Sequence, residues 1–399
     1  MASSLGVGSS VKAEAQTNRL GGSGEWKILL ACASTQPDPT RLEALLNRCD
    51  WANLLRLAEA HGVVVPLAAR IREVSGAPVP ALFREQLLDM QRAQLLSGLA
   101  LTAEMIRVLE QFAAAGIQAL VLKGPALSLQ AYGEATARQY GDIDVLVRHA
   151  DILRATQSMT ELGFDAHVAP EIVAAGKIPG EYFFSRPNTK VIIEVHTERT
   201  LRYFPNQLNV EELFARSVAL DFDGRKVPTL SAEDALVAMC THGAKHFWER
   251  LMWIADVRAM VARQRILNWD VVGTIAQKLG VQRIVHTGLL LALDLLDAQL
   301  PAPVETRARA DMGAAALVGR IKTWLPQGDG ATIGLFRRAL FRAQMRPGFW
   351  AGLGYVARLS LSPTEDDWRE GHEHKRSRYR DAVRRLFRLA GKYGRGADR

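Results

Sequence analysis

The amino-acid sequence predicts an α+β protein, with a small sheet core held between N-terminal and C-terminal helical regions. Three observations carry this. Apolar residues recur at helical spacing up to about residue 115 and again from about residue 232. The stretch between them changes to short apolar runs of strand length. Glycines such as Gly116 and Gly163 stand where the grammar changes.

Residues 1–24 are rich in Gly, Ser and Ala, show no periodic apolar face, and are expected to form a disordered lead-in. Residues 25–116 form the N-terminal helical region. Leu42, Leu45 and Leu46, then Leu54, Leu55, Leu57 and Ala58, follow i, i+3, i+4 spacing. Pro78 and Pro80 punctuate the region, and a long helix is expected over 83–115, with a break near Gly98 and a stop at Gly116. Residues 117–225 form the α/β core. Its parts are strands at 117–122 and 143–147, a helix at 150–162, and a hairpin of 181–186 and 191–196 turning at Pro187-Asn188. A helical domain follows over 226–330, with helices at 232–246, 248–263, 269–279 and 282–297. Residues 331–399 form a C-terminal region. It ends in an amphipathic helix over 376–393, with Tyr379, Val383, Leu386, Phe387 and Ala390 on one side.

Composition narrows the class. The chain has 399 residues, 48% hydrophobic and 23% charged, which excludes a disordered or collagen-like protein. No stretch reaches the roughly 18 uninterrupted apolar residues of a membrane-spanning helix; the run Leu289–Leu296 is broken by Asp294. The net charge of +8 is local. Residues 374–399 hold ten Lys and Arg against Asp381 and Asp398, which accounts for the whole excess. That tail fits an anionic surface or an acidic partner, nucleic acid included, and leaves the body neutral. Three cysteines, Cys32, Cys49 and Cys240, make no disulfide framework, which places the protein in the cytoplasm. The apolar run before Cys32 is too short for a lipoprotein signal.

The chemistry concentrates in Gly141-Asp142-Ile143-Asp144-Val145-Leu146-Val147. Carboxylates at i and i+2 of a strand point to one face, while Ile143 points to the other. Two carboxylates so close do not both stay ionised cheaply without a cation, and hard oxygen ligands on a rigid strand suit Mg2+. Three neighbours strengthen the reading. Lys123-Gly124-Pro125 joins a strand end to a helix start, where backbone can approach a phosphate closely. Glu194 interrupts the apolar strand Ile193-Glu194-Val195-His196, which is costly unless the carboxylate is paired or metal-bound. Arg138, four residues before Asp142, can pair with those carboxylates or with a bound phosphate.

Taken in order, Leu122-Lys123-Gly124, Arg138, Gly141 to Val147 and Glu194-Val195-His196 resemble the poorly characterised bacterial nucleotidyltransferase family of the DNA polymerase β superfamily. Leu57 to Val63, His242 to Leu251 with Trp253 and Asp256, and Pro363 to Trp368 extend the resemblance over about residues 26–390. The resemblance implies a polymerase β-like sheet core, an NTP donor, two Mg2+ ions, and transfer of a nucleoside monophosphate to an unidentified acceptor with release of pyrophosphate. It implies that Asp142, Asp144 and Glu194 are the catalytic and metal-holding residues and that Lys123 and Gly124 meet the nucleotide; Arg138, and Lys245 where its helix faces the cleft, are the further nucleotide-binding candidates. The sequence departs from the superfamily in two ways. Gly124-Pro125 replaces Gly-Gly or Gly-Ser, and 18 positions separate Gly124 from Asp142. Pro125 removes a backbone N–H, which supports a second reading: an inactive nucleotide- or partner-binding module on the same fold. The retained carboxylate trio favours the enzyme.

His242 and His246 share a helix face, but Gly243 stands where zinc peptidases carry Glu, so packing or a phosphate role is expected rather than zinc. Trp248, Leu251 and Trp253 read as core, and Asp256 as a partner of Arg250 or Arg258. His372-Glu373-His374 reads as a solvated segment.

Overall fold

The computed structural model describes residues 23–34, 38–74, 76, 78–174, 180–198, 206, 209–263, 267–330 and 333–361. The expected lead-in up to residue 22, the segments Pro363 to Trp368 and His372-Glu373-His374, and the basic tail all lie outside the described residues.

The described residues begin with helices α1 (Gly24–Ala33), α2 (Pro39–Leu46), α3 (Trp51–Ala60), α4 (Val64–Glu73) and α5 (Ala81–Ala114). Short polar side chains set three of their starts. Ser23 accepts from Trp26 N, Asp38 from Thr40 N and Arg41 N, and Asp50 from Asn53 N. Each satisfies backbone donors that the first helical turn leaves open. The break expected in α5 near Gly98 is absent. A Cβ there would stand 3.1 Å from Thr136 Cγ2 and 3.1 Å from Tyr140 Oη, and Tyr140 Oη donates to Gly98 O at 3.2 Å. The glycine serves close packing, and the helix runs through it.

The sheet strands are β1 (Ala119–Val121), β2 (Ile143–Val147), β3 (Asp165–Ala166), β4 (Glu181–Ser185), β5 (Ile192–His196), β6 (Val218–Phe222) and β7 (Arg225–Thr229). Among the described residues they form one mixed sheet in the order β3-β4-β5-β2-β1-β7-β6. β2 lies antiparallel to β1 and parallel to β5, and β1 lies parallel to β7. The central strands fall where the sequence places them. The hairpin β6–β7 was not anticipated, although its turn, Asp223-Gly224, has φ of 51° and 89°, as a two-residue hairpin turn requires. It carries the sheet past residue 225, and Thr229 Oγ1 donates to Val121 O at 2.6 Å.

Strand alternation divides the interior in two. Val121, Ile143, Val145, Val147, Ile193 and Val195 face one side, under Met105, Val108 and Phe112 of α5 and Ala155 and Met159 of α7 (Ile152–Glu161). Leu120 and Leu146 face the other, toward α6 (Gly124–Tyr132) and the later helices. A short α8 (Pro170–Ala174) precedes β4, and α9 (Val210–Arg216) precedes β6. After the sheet come α10 (Ala232–Lys245), α11 (Leu251–Arg263), α12 (Trp269–Leu279), α13 (Gln282–Leu296), α14 (Ala302–Ala310), α15 (Met312–Trp324), α16 (Leu335–Gln344) and α17 (Phe349–Leu361).

The N-terminal helices share the second core with these later helices. His61 ties the two together, since its carbonyl accepts from Met252 N and its Nδ1 from Leu251 N. No described helix is long and apolar enough to cross a membrane.

Candidate active site

The second sheet face carries the polar cluster. Asp144 on β2 and Glu194 on β5 are direct register partners in a parallel pair, so their side chains rise side by side. His196 follows Glu194 by two residues and therefore shares its face. Its Nε2 lies 3.0 Å from Asp144 Oδ1 and 3.4 Å from Glu194 Oε2. Lys123, at the end of β1, places Nζ 2.8 Å from Asp144 Oδ1. The same Nζ lies 3.4 Å from His242 Nδ1 on α10.

The turn that aims Lys123 depends on Gly124. Its φ is +62°, and a Cβ there would stand 3.3 Å from Asp142 O. A side chain at that position would meet both the left-handed penalty and the backbone of the Asp142 strand. Pro125 occupies the first turn of α6, where its missing N–H has no helical partner to lose. The departure from the superfamily pattern is thus compatible with a regular helix start.

Burial and charge set the protonation states. Burial pushes the Asp142 carboxyl up and the neighbouring Asp144 charge adds to it, to about 6. Burial works against Asp144 too. There the Lys123 ammonium and the His196 hydrogen bond prevail and hold it well below the usual carboxylate range. Burial opposes the charged form of His196, yet its bonds to Asp144 and Glu194 raise it to about 9. Burial, with Lys123 beside it, pushes His242 well below its ordinary value, so Nδ1 is free to accept from the ammonium.

Asp144 is fully buried, and its Oδ2 has no hydrogen-bond partner among the described residues. An oxygen so placed is costly unless something charged or polar meets it. Ligand atoms of Asp144, Glu194 and His196 lie within 4.8 Å of one another, close enough for one ion to bind all three. The donors fit a divalent cation, and the imidazole adds a nitrogen that suits first-row transition metals as well as Mg2+. Asp142 is outside that trio but within electrostatic reach of Asp144, Lys123 and Glu194.

The other expected residues are placed differently. Arg138 is buried and bound to Asp256, with Nε 3.1 Å from both carboxylate oxygens and Nη2 3.0 Å from Oδ2. Tyr132 Oη donates to the same carboxylate at 2.9 Å. Asp256 therefore pairs with Arg138 rather than with Arg250 or Arg258 as expected. Arg138 N also donates to Ser128 Oγ, which donates to Glu134 O, so this side chain fastens the loop leading into Asp142. Lys245 Nζ lies 3.2 Å from Glu181 Oε1 on β4, at the edge of the same cluster. Trp248 and Leu251 are fully buried, and Trp253 packs on the rings of His242 and His246.

Sequence reasoning quoted His196 without giving it a role. The signal was present: it stands at i+2 from Glu194, the same relation that singled out Asp142 and Asp144. The contact of His242 with Lys123 had no local signal, because 119 positions separate the two residues.

A cleft opens beside Asp144, between the sheet and helices α10 and α12, with an empty volume of about 920 Å3 including its mouth. Lys123, Asp144, His196 and His242 stand among its lining, and Leu122, Leu146, Val237 and Ile275 are part of its apolar wall.

The mixed sheet thus places acidic residues on adjacent strands, next to a glycine-started helix. The chain belongs to the family described as uncharacterised nucleotidyltransferase, whose model matches residues 47–297. No curated protein matches it. Among solved structures it is similar to an antigenic nucleotidyltransferase-like protein from Paracoccidioides brasiliensis, at 14% identity and a TM-score of 0.29, over 50% of this chain and 93% of that one.

Proposed function

We propose that this chain is a divalent-metal-dependent nucleotidyltransferase that moves a nucleoside monophosphate from an NTP to a hydroxyl acceptor and releases pyrophosphate. The observation that carries the reading is Asp144 Oδ2, which has no hydrogen-bond partner among the described residues and is buried beside Glu194 and His196. In this reading Asp144, Glu194 and His196, with Asp142 beside them, hold Mg2+ or a related ion. When bound, such an ion would neutralise phosphate charge and make the acceptor hydroxyl easier to deprotonate. The protein's own groups do the rest. Lys123 and the backbone at Gly124 face the phosphates from the start of α6. Glu194, whose side chain is 14% exposed, takes the acceptor proton. Arg138 keeps the Asp142 loop in position through Asp256.

The test is calorimetric titration of ATP, GTP, CTP and UTP, with and without Mg2+ or Mn2+, into the wild type and Asp144→Asn. Metal-dependent binding that disappears in the variant supports the reading and identifies the donor. Metal-independent binding that survives in the variant favours a non-catalytic nucleotide-binding module.

A further inference from the structure

We infer that the cleft beside Asp144 seats the acceptor, and that the acceptor is a small aliphatic alcohol: a hydrocarbon body carrying the attacking hydroxyl. This rests on the nucleotidyl-transfer reading and supplies the substrate class it lacks.

The wall chemistry selects the class. Leu122 and Leu146 of the sheet region, Leu213 of α9, Ala238 of α10, and Ile275 and Leu279 of α12 present alkyl surface. Burying hydrocarbon against such a wall is favourable, whereas each hydroxyl of a sugar would need a partner there. The polar side chains along it are already engaged, Glu181 with Lys245 at 3.2 Å among them. Thr241 Oγ1 already donates to Val237 O, and Asp234 is held by the Arg216 guanidinium at 2.8 Å. The described lining contains no Phe, Tyr or Trp, so it offers no broad aromatic face for stacking a nucleobase. Away from Lys123 it offers a triphosphate no uncommitted cation, because Lys245 is paired with Glu181.

Lys123, Asp144, His196 and His242 form one connected polar cluster within the lining. An alcohol with its chain along the alkyl wall would bring its hydroxyl to Asp144, the reacting position of the proposed centre. In the transfer, the hydroxyl oxygen bonds to the α-phosphorus as the bond from that phosphorus to the bridging oxygen breaks. Pyrophosphate leaves with the electron pair, and the hydroxyl proton passes to Glu194 and on to solvent.

The experiment is fluorine NMR on the full chain with 6,6,6-trifluoro-1-hexanol as probe. 1,1,1-Trifluorohexane serves as the hydroxyl-free control and sorbitol as the polyol competitor. Saturable broadening by the alcohol is expected, at least several-fold tighter than by the alkane and untouched by sorbitol. Ala238→Phe, which fills the cleft, should weaken alcohol binding about tenfold while its melting curve and metal-dependent NTP binding stay as in the wild type. Equal binding of alkane and alcohol, or an unchanged Ala238→Phe, overturns the inference. Displacement of the alcohol by ATP also overturns it, since the cleft would then be the nucleotide seat. The wild type separates the two readings. Lack of metal-dependent NTP binding in the wild type sinks the transfer reading, whereas lack of saturable alcohol binding sinks only the acceptor assignment.

Discussion

Lys123 Nζ stands 2.8 Å from Asp144 Oδ1, so a fully buried carboxylate is neutralised by an ammonium from the end of the adjacent strand. The pair links the start of the Gly124 helix to the strand that carries the acidic residues, and it balances one of their charges from within the protein. Any cation that binds Asp144 shares the carboxylate with this lysine or displaces it.

Replacing Lys123 with Met should therefore destabilise the metal-free protein by about 3–5 kcal/mol, the usual cost of stranding a buried charge. The same variant should gain more in melting temperature than the wild type when saturating Mg2+ or Mn2+ is added, because the ion supplies the missing charge. Thermal melts with and without metal read both effects. Equal metal-induced shifts in the two proteins would detach Lys123 from the cation site.

Arg138 and Asp256 should behave as a structural couple. Arg138→Met is expected to cost about 3 kcal/mol in urea unfolding, and a double-mutant cycle with Asp256→Asn should show coupling of about 1–3 kcal/mol. Fully additive losses would mean that the 3.1 Å contact contributes nothing.

Gly243 faces the Trp248 indole, where an added Cβ would stand 2.5 Å from the ring. Ala is ordinarily the better helix former by about 1 kcal/mol. Here overpacking a buried ring costs about 1–3 kcal/mol, so Gly243→Ala should be net destabilising by about 1 kcal/mol. A variant more stable than the wild type in denaturant melts would show that the indole shifts freely.

His246 titrates far below its ordinary value, to about 3, because burial and then the nearby Lys245 disfavour its charged form. Its folded value is depressed, so the unfolded chain takes up the proton first as pH falls. The stability it contributes is present above about pH 6.5 and is lost progressively toward pH 3. Between pH 6.5 and 5 this amounts to about 1–2 kcal/mol. Chemical denaturation at those two pH values should show a smaller drop for His246→Gln than for the wild type; identical drops would assign the pH dependence elsewhere.

The sequence by itself determined the parts whose physics is local. Periodicity placed the long helices and the strands at 143–147 and 191–196, and the i, i+2 rule put Asp142 and Asp144 on one face. The family resemblance was legible from the order of the same motifs. The weak hairpin at 218–229 was missed because its strands are mostly exposed and carry little alternation. Tertiary structure decided everything that depends on pairing across distance. Register set Glu194 opposite Asp144 and brought His196 onto both. Helix packing sent Arg138 to Asp256 and His242 to Lys123, over separations of 118 and 119 positions. A side chain's residue type fixes what it can bond. Which partner it finds is settled by the fold, because a buried charge takes the complementary group that packing brings within reach.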